Sequence, residues 1–164
     1  MPNPERPTLT HVDASGAARM VDVSDKAVSA REAVATGVLR TTAGVADLLR
    51  RGGLPKGDAL ATARIAGIMA AKRTPDLVPL CHPIAISGVT IDLDVGEAEV
   101  RIAARVRTAD RTGVEMEALT AVAVAGLTLH DMIKAVDPAA VLDAVRVERK
   151  EGGKTGTWTR PDGR

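Results

Sequence analysis

The sequence predicts an α+β domain, a mainly antiparallel sheet packed with helices, and three observations predict it. Strand-like and helix-like runs mix without the strict strand–helix–strand alternation of a parallel sheet. Two strand candidates, Ser87 to Val95 and Glu99 to Thr108, are separated only by a turn around Gly96, as in a hairpin. One long helix, Glu115 to about Val136, is apolar around much of its circumference and must be largely covered by the rest of the fold.

The elements follow in order. Pro2, Pro4 and Pro7 mark residues 1–8 as a loose N-terminal tail. Ala18 to Val23 alternates enough to be a strand. Val28 to Arg40 fits strand or helix, and the Gly37-Val38-Leu39 ending favours strand. Ala43 to Arg51 reads as a short helix stopped by Gly52-Gly53. Asp58 is placed to N-cap a second helix running to about Lys72. Pro75, Pro79 and Pro83 then break the chain into an extended, irregular segment. After the hairpin, Gly113 precedes the long helix, which must end before Asp137-Pro138. Val141 to Lys150 is a final strand, and residues 151–164 form a glycine-rich tail. All 164 residues are expected in one domain, without internal repeats.

Composition narrows the function. Lys plus Arg number 22 against 21 Asp plus Glu, which provides no field for nucleic acid or a membrane surface. One Trp with no Tyr or Phe argues against base stacking, and the core must be built from Ala, Val, Leu, Ile and Met. Such small side chains each bury little area, so an oligomer would gain stability. No uncharged apolar run approaches the roughly 20 residues of a membrane span. The proline-rich start lacks a signal peptide's apolar stretch. Cys81 is the lone cysteine, so no intrachain disulfide forms, and a cytoplasmic protein is expected.

The long helix carries three stripes. Leu119, Val122, Gly126, Leu129, Ile133 and Val136 are one, and Ala118, Ala121, Ala125, Thr128, Met132 and Ala135 form a small-residue stripe beside it. The third, Glu117, Thr120, Val124, Leu127, Asp131 and Lys134, is apolar in the middle and charged at its ends. The helix dipole explains Glu115 and Glu117 in the first turn and Lys134 in the last. It does not explain Asp131, which either rests on Lys134 at i+3 or forms an acid–base pair with it. In the second helix, Ala61, Ile65, Ile68 and Lys72 share a face, so Lys72 extends what reads as a buried stripe. It either snorkels outward or joins Lys56 in an anion site.

Leu80-Cys81-His82-Pro83 invites a metal reading, but one Cys and three His at scattered positions supply no ligand spacing, and no metal site is expected. His82 is either a loop residue held by a hydrogen bond or an imidazole contacting phosphate or relaying a proton. Gly152-Gly153-Lys154-Thr155-Gly156 lacks the phosphate-loop frame and follows the last strong element, so it is no Walker A site. Lysines, paired carboxylates and one histidine together fit acid–base chemistry on a phosphorylated substrate.

Almost end to end, the chain resembles the MoaC family. The resemblance is carried by Leu9-Thr10-His11-Val12, Met20-Val21-Asp22-Val23, Lys56-Gly57-Asp58, Ala61 to Ile68, Ala71-Lys72-Arg73-Thr74 and Pro79-Leu80-Cys81-His82-Pro83. It continues through Thr112 to Thr120, Asp131-Met132-Ile133-Lys134-Ala135-Val136 and Gly152 to Gly156. The resemblance implies a ferredoxin-like fold and hexamers built as trimers of dimers. It implies conversion of 3′,8-cyclo-7,8-dihydro-GTP, made from GTP by a partner radical enzyme, into cyclic pyranopterin monophosphate with release of pyrophosphate. It makes Asp131 and Lys134 catalytic. Leu80, Cys81, His82, Met116 and Glu117 match pterin- or nucleotide-binding positions, with Glu115 close by. Arg31, Lys56, Lys72 and Lys150 match basic residues facing the triphosphate, which Mg²⁺ can accompany. No other cofactor is implied. The family often has Tyr where this chain has His130, which helical geometry sets about 100° from Asp131. The rival from another class is a ferredoxin-like nucleotide sensor without chemistry, for which the Asp131/Lys134 pair would be superfluous. Glu117 and Asp131 are about 21 Å apart along one helix, so the active site is expected to be shared across a dimer interface between antiparallel copies, with the small-residue stripe permitting their close approach.

Overall fold

The structure is a computed structural model that describes residues 9–54 and 56–163; the expected tail over residues 1–8 lies outside them. Among the described residues, one sheet contains β1 (Ser29–Arg40), β2 (Ile86–Val95), β3 (Glu99–Asp110), β4 (Val141–Glu151) and β5 (Trp158–Thr159). Their spatial order is β2-β3-β1-β4-β5, and each neighbouring pair is antiparallel. The first four strands, with helices between β1 and β2 and between β3 and β4, form a ferredoxin-like β-α-β-β-α-β unit, and β5 extends it beyond β4.

The helices are α1 (Ala43–Arg51), α2 (Ala59–Lys72), α3 (Thr74–Leu77) and α4 (Glu115–Ile133). Two are bounded as their sequences dictate. Thr42 accepts the Val45 N–H at the start of α1, and Gly52 ends it in the left-handed region at φ 65°. Asp58 accepts the Ala61 N–H at the start of α2.

One sheet face is the core. Ala33, Ala35 and Leu39 alternate inward on β1, and Val100, Ile102, Ala104 and Val106 do so on β3. α4 packs against β1, β3 and β4, and α2 lies alongside α4 and over β2. The two helices run antiparallel, since Lys56, just ahead of α2, reaches Asp131 near the end of α4. They touch through small residues. A methyl group on Gly67 would overlap Ile91 Cδ1 and come within 2.9 Å of the Ala121 carbonyl oxygen. That close approach fills a core without large side chains.

Several expectations change. Ala18 to Val23 is not a strand; only Val12 bridges Ala18. Asp13 accepts the Ser15 and Ala17 N–H groups and Asp22 that of Ser24, so this segment spends its backbone on turns. The proline-marked segment contains α3, because Pro75 in a first turn sacrifices no helical hydrogen bond. α4 ends at Ile133 rather than Val136; the Val136 and Asp137 N–H groups both turn back to the Ile133 carbonyl. Asp137, restricted by Pro138, holds Thr41 Oγ1 at 2.7 Å instead. Within the expected tail, Trp158 and Thr159 pair with Lys150 and Arg149, and Arg160 Nε donates to the Val147 carbonyl at 2.7 Å.

The stripes are also reassigned. In α2 the buried residues are Ala59, Ala63, Gly67, Ala70 and Ala71, while Ile65 is 59% exposed and Lys72 is exposed. Lys72 therefore does not extend a buried stripe. Close contact with α4 selects alanine and glycine for the inner face and leaves the larger residues outside. Ala121 and Ala125 of α4 lie in this same contact and Ala118 is buried as well, so they are not free to receive a second copy. α4 is long and apolar enough by length and composition to cross a membrane, yet half of that stretch is buried inside the fold.

Candidate active site

The residues singled out in the sequence fall into two groups at opposite ends of α4. At its C-terminal end stands Asp131. Lys134, one turn on, places Nζ 2.7 Å from Asp131 Oδ1, and Lys56, from the loop before α2, places its Nζ 3.1 Å from Oδ2. Lys56 also donates to the Asp131 carbonyl at 3.2 Å, satisfying an end-of-helix acceptor. All three side chains are about half exposed. The hydrogen bonds and charges of Lys134, then of Lys56, hold the Asp131 carboxyl below the usual range. This carboxylate stays ionised between two ammonium groups, an arrangement that can pass a proton between a lysine and a ligand and can hold an anion. His130 is half-buried whereas Asp131 is exposed, in keeping with their different helix faces.

The N-terminal end of α4 borders a partly open pocket. The pocket, of about 290 Å³, is lined by Leu80, Cys81, His82, Glu115, Met116 and Glu117, together with His11, Ile84, Thr112 and Gly113. Glu117 is only 2% exposed, and burial, with Glu115 nearby, pushes its pKa up to about 7. A carboxyl that exchanges its proton near neutrality can donate to or accept from a heterocycle. Burial, and then the Glu117 charge, push the Cys81 thiol up, so it is not an activated nucleophile. His82 Nε2 donates to the Val21 carbonyl at 2.6 Å, which fixes the tautomer and ties the segment before β1 to the pocket. The bond explains why an ordered chain follows from Met20-Val21-Asp22-Val23 although no strand forms.

Glu115 connects this pocket to a second opening. Its Oε1 lies 3.0 Å from Lys150 Nζ, and Lys150, with Arg31, lines an adjoining cleft. Arg31 donates through Nε to the Asp110 carbonyl at 3.0 Å and through Nη2 to that of Arg111 at 3.2 Å. The structure thus brings Leu80, Cys81, His82, Glu115, Met116, Glu117, Arg31 and Lys150 to one end of α4. It separates them from Lys56, Asp131 and Lys134. Lys72, at the last turn of an α2 antiparallel to α4, lies towards the Glu117 end, and so away from Lys56. Sequence reasoning passed over His11 and Thr112 as pocket residues, although both stand in motifs that carried the resemblance.

A sequence model described as the MoaC family matches residues 20–153. "Cyclic pyranopterin monophosphate synthase 2" of Mycobacterium tuberculosis (strain ATCC 25618 / H37Rv) is 65% identical over 152 residues, covering 93% of this chain and 91% of that protein. "Cyclic pyranopterin monophosphate synthase" of Streptomyces coelicolor is 66% identical over 93% of this chain and 89% of its own length. The protein of the same name from Corynebacterium efficiens is 58% identical over 92% and 97%. The family match begins before β1, takes in both ends of α4 and ends at Gly153 after β4. This chain belongs to the MoaC family.

Proposed function

We propose that this chain converts 3′,8-cyclo-7,8-dihydro-GTP into cyclic pyranopterin monophosphate and pyrophosphate, a lyase step in molybdenum cofactor biosynthesis. The observation that carries the reading is the Asp131 carboxylate held between Lys134 and Lys56 at 2.7 and 3.1 Å, in a chain 65% identical to synthases of that name. Asp131 and Lys134 move protons while the purine-derived ring opens and the pyran closes. Lysine and arginine side chains stabilise charge as the cyclic phosphate forms and pyrophosphate leaves. The pocket at the start of α4 holds the pterin ring, with the Glu117 carboxyl and the Leu80-Cys81-His82 loop against it. A GTP-derived substrate puts the reaction in the cytoplasm.

The separation of the two groups supports a site shared between two copies. Asp131 follows Glu117 by fourteen positions along the helix, about 21 Å at 1.5 Å per residue. Between these ends the outward face is apolar: Leu127 is 61% exposed, and Ile65 and Met69 of α2 are more than half exposed. A second copy packed antiparallel on that face would cover it and bring its own Asp131 towards the first copy's Glu117. The small-residue stripe plays no part in this contact; the larger exposed residues do. Such dimers, three to a hexamer, are the assembly proposed here.

Incubation with the cyclic dihydro-GTP intermediate, with pyrophosphate and pterin product both assayed, tests the activity. Stoichiometric release of the two is expected. Binding without either product would leave a nucleotide sensor.

A further inference from the structure

Glu115 stands where three parts of the fold meet. It opens α4, lines the pocket that contains Glu117, and contacts β4 through Lys150 at 3.0 Å. The backbones on both sides are fixed. Lys150 pairs with Ala33 of β1 on one side and with Trp158 of β5 on the other. The loop before α4 is pinned by Arg31, which donates to the Asp110 and Arg111 carbonyls. Arg111 in turn donates through Nε to the Lys26 carbonyl at 3.1 Å.

Between these anchors the Glu115 side chain folds back over Gly113. A methyl group on Gly113 would overlap Glu115 Oε2 and lie 2.8 Å from its carboxyl carbon and 2.9 Å from Oε1. The Gly113 backbone lies outside the left-handed region, so its conformation does not call for glycine. The carboxylate seated on it does. What a methyl group meets is the end of a flexible side chain, so alanine at 113 would displace Glu115 and leave the fold in place.

The ionisable groups around Glu117 are Glu115 on the same helix, Cys81 and His82 from the segment after α3, and His11 from the segment before β1. His82 is tied to the Val21 carbonyl, and burial pushes the Cys81 thiol up. The Glu115 charge adds to burial in making Glu117 keep its proton. Lys150 lies against that charge and cancels part of it.

We propose that Glu115 is a positioning residue, seated on Gly113, through which the Lys150 ammonium of β4 acts on the Glu117 carboxyl. With the ammonium in place, Glu117 gives up its proton more readily; with it drawn away, Glu117 keeps the proton. The proposal rests on the functional reading above for its use, since β4 then sets the acid–base state of the carboxyl against the pterin ring.

The test is NMR titration of the Glu117 carboxyl carbon in the ligand-free full chain. Glu115→Gln should lower its pKa, and Lys150→Met should raise it, each by about half a unit, the scale of one partly screened charge. In a Gly113→Ala background, Lys150→Met should have no effect, because the carboxylate that connects the two is displaced. The Tm of Gly113→Ala should stay close to wild type. If that variant does not fold, Glu115→Gln serves as the background, where the lysine's effect should vanish too. An unchanged titration in Lys150→Met, or an upward shift that persists in both backgrounds, would overturn the proposal. An enzyme that turns over the cyclic dihydro-GTP intermediate without these shifts keeps the functional reading and loses this one. A protein that shows the shifts without turnover does the reverse.

Discussion

Two carboxylates stand at opposite ends of α4, and each behaves against its place on the helix dipole. Glu117, in the first turn, sits where the dipole favours the ionised form, yet its pKa is pushed up to about 7. Asp131, two residues from the C-terminus, sits where the dipole disfavours ionisation, yet its carboxyl is held below the usual range. The dipole contributes about 0.3–1 kcal/mol at an exposed end. Removing a carboxylate from water costs several times more. Glu117 is buried with Glu115 as a neighbour; Asp131 is exposed between two lysines. Surroundings, not helix position, set the charge. One helix thereby presents a carboxyl that is neutral about half the time near pH 7 and another that is ionised throughout the physiological range.

The sharpest way to break the comparison is chemical. Asp131→Asn and Lys134→Ala should each lower turnover by at least about a hundredfold, the lower range of positioned acid–base catalysis. Circular dichroism and Tm should stay close to wild type, since both side chains are about half exposed. A variant turning over near the wild-type rate would remove the proton-transfer role from that residue. Mixing sharpens the result. Glu117→Ala and Asp131→Asn proteins, each inactive, should regain a fraction of wild-type activity once subunits exchange, because a mixed dimer contains one site with both carboxyls. Confirmed exchange without recovery would show that the two ends of α4 serve separate sites.

The next effect is on stability. In the unfolded chain Glu117 titrates near 4.5, and in the folded protein near 7. Between those values the folded state binds more protons, so stability is full below about pH 4.5 and falls as pH rises to about 7. At about 1.4 kcal/mol per unit, the loss attributable to Glu117 is on the order of 3 kcal/mol. Glu117→Gln should remove that part of the slope. Urea denaturation of both proteins at pH 5 and pH 8 measures it, and identical slopes would mean that Glu117 is hydrated in solution.

How much of this was legible in the sequence depended on whether local signals or packing decided the outcome. Asp58 as a cap, Gly52 as a stop and the alternation of β3 are local, and each appears where the sequence puts it. The inner face of α2 was not legible. Hydrophobicity chose Ile65 and Ile68, but closeness to α4 chose Ala63 and Gly67, and only the partner helix reveals which criterion applies. For the site, Asp131 with Lys134 could be read from i, i+3 spacing. Lys56, 75 residues away, is joined to them only by the fold; the resemblance grouped it with the basic residues facing the triphosphate. Ser29 Oγ, buried without a hydrogen-bond partner among the described residues, has no sequence signal, because any serine at a strand start looks the same.

The smallest expected effect concerns Lys56, and it separates the two lysines that hold Asp131. Lys134 is its own helix neighbour and makes the shorter contact, 2.7 against 3.1 Å, and it is the larger cause of the lowered pKa. Lys56→Met keeps most of the stem and removes one charge and two hydrogen bonds, those to Asp131 Oδ2 and to its carbonyl oxygen. The Asp131 pKa should therefore rise but remain below the ordinary aspartate value, with Lys134 still in place. Lys134→Met should raise it further. Titration of the Asp131 carboxyl carbon by NMR in each variant gives the order directly. Because the cluster is exposed, salt screens it, and the difference between wild type and Lys56→Met should shrink as ionic strength rises from about 0.05 to 0.5 M. An unchanged pKa in Lys56→Met would mean that this lysine faces the ligand rather than the aspartate in solution. Asp131 would then depend on its helix neighbour alone.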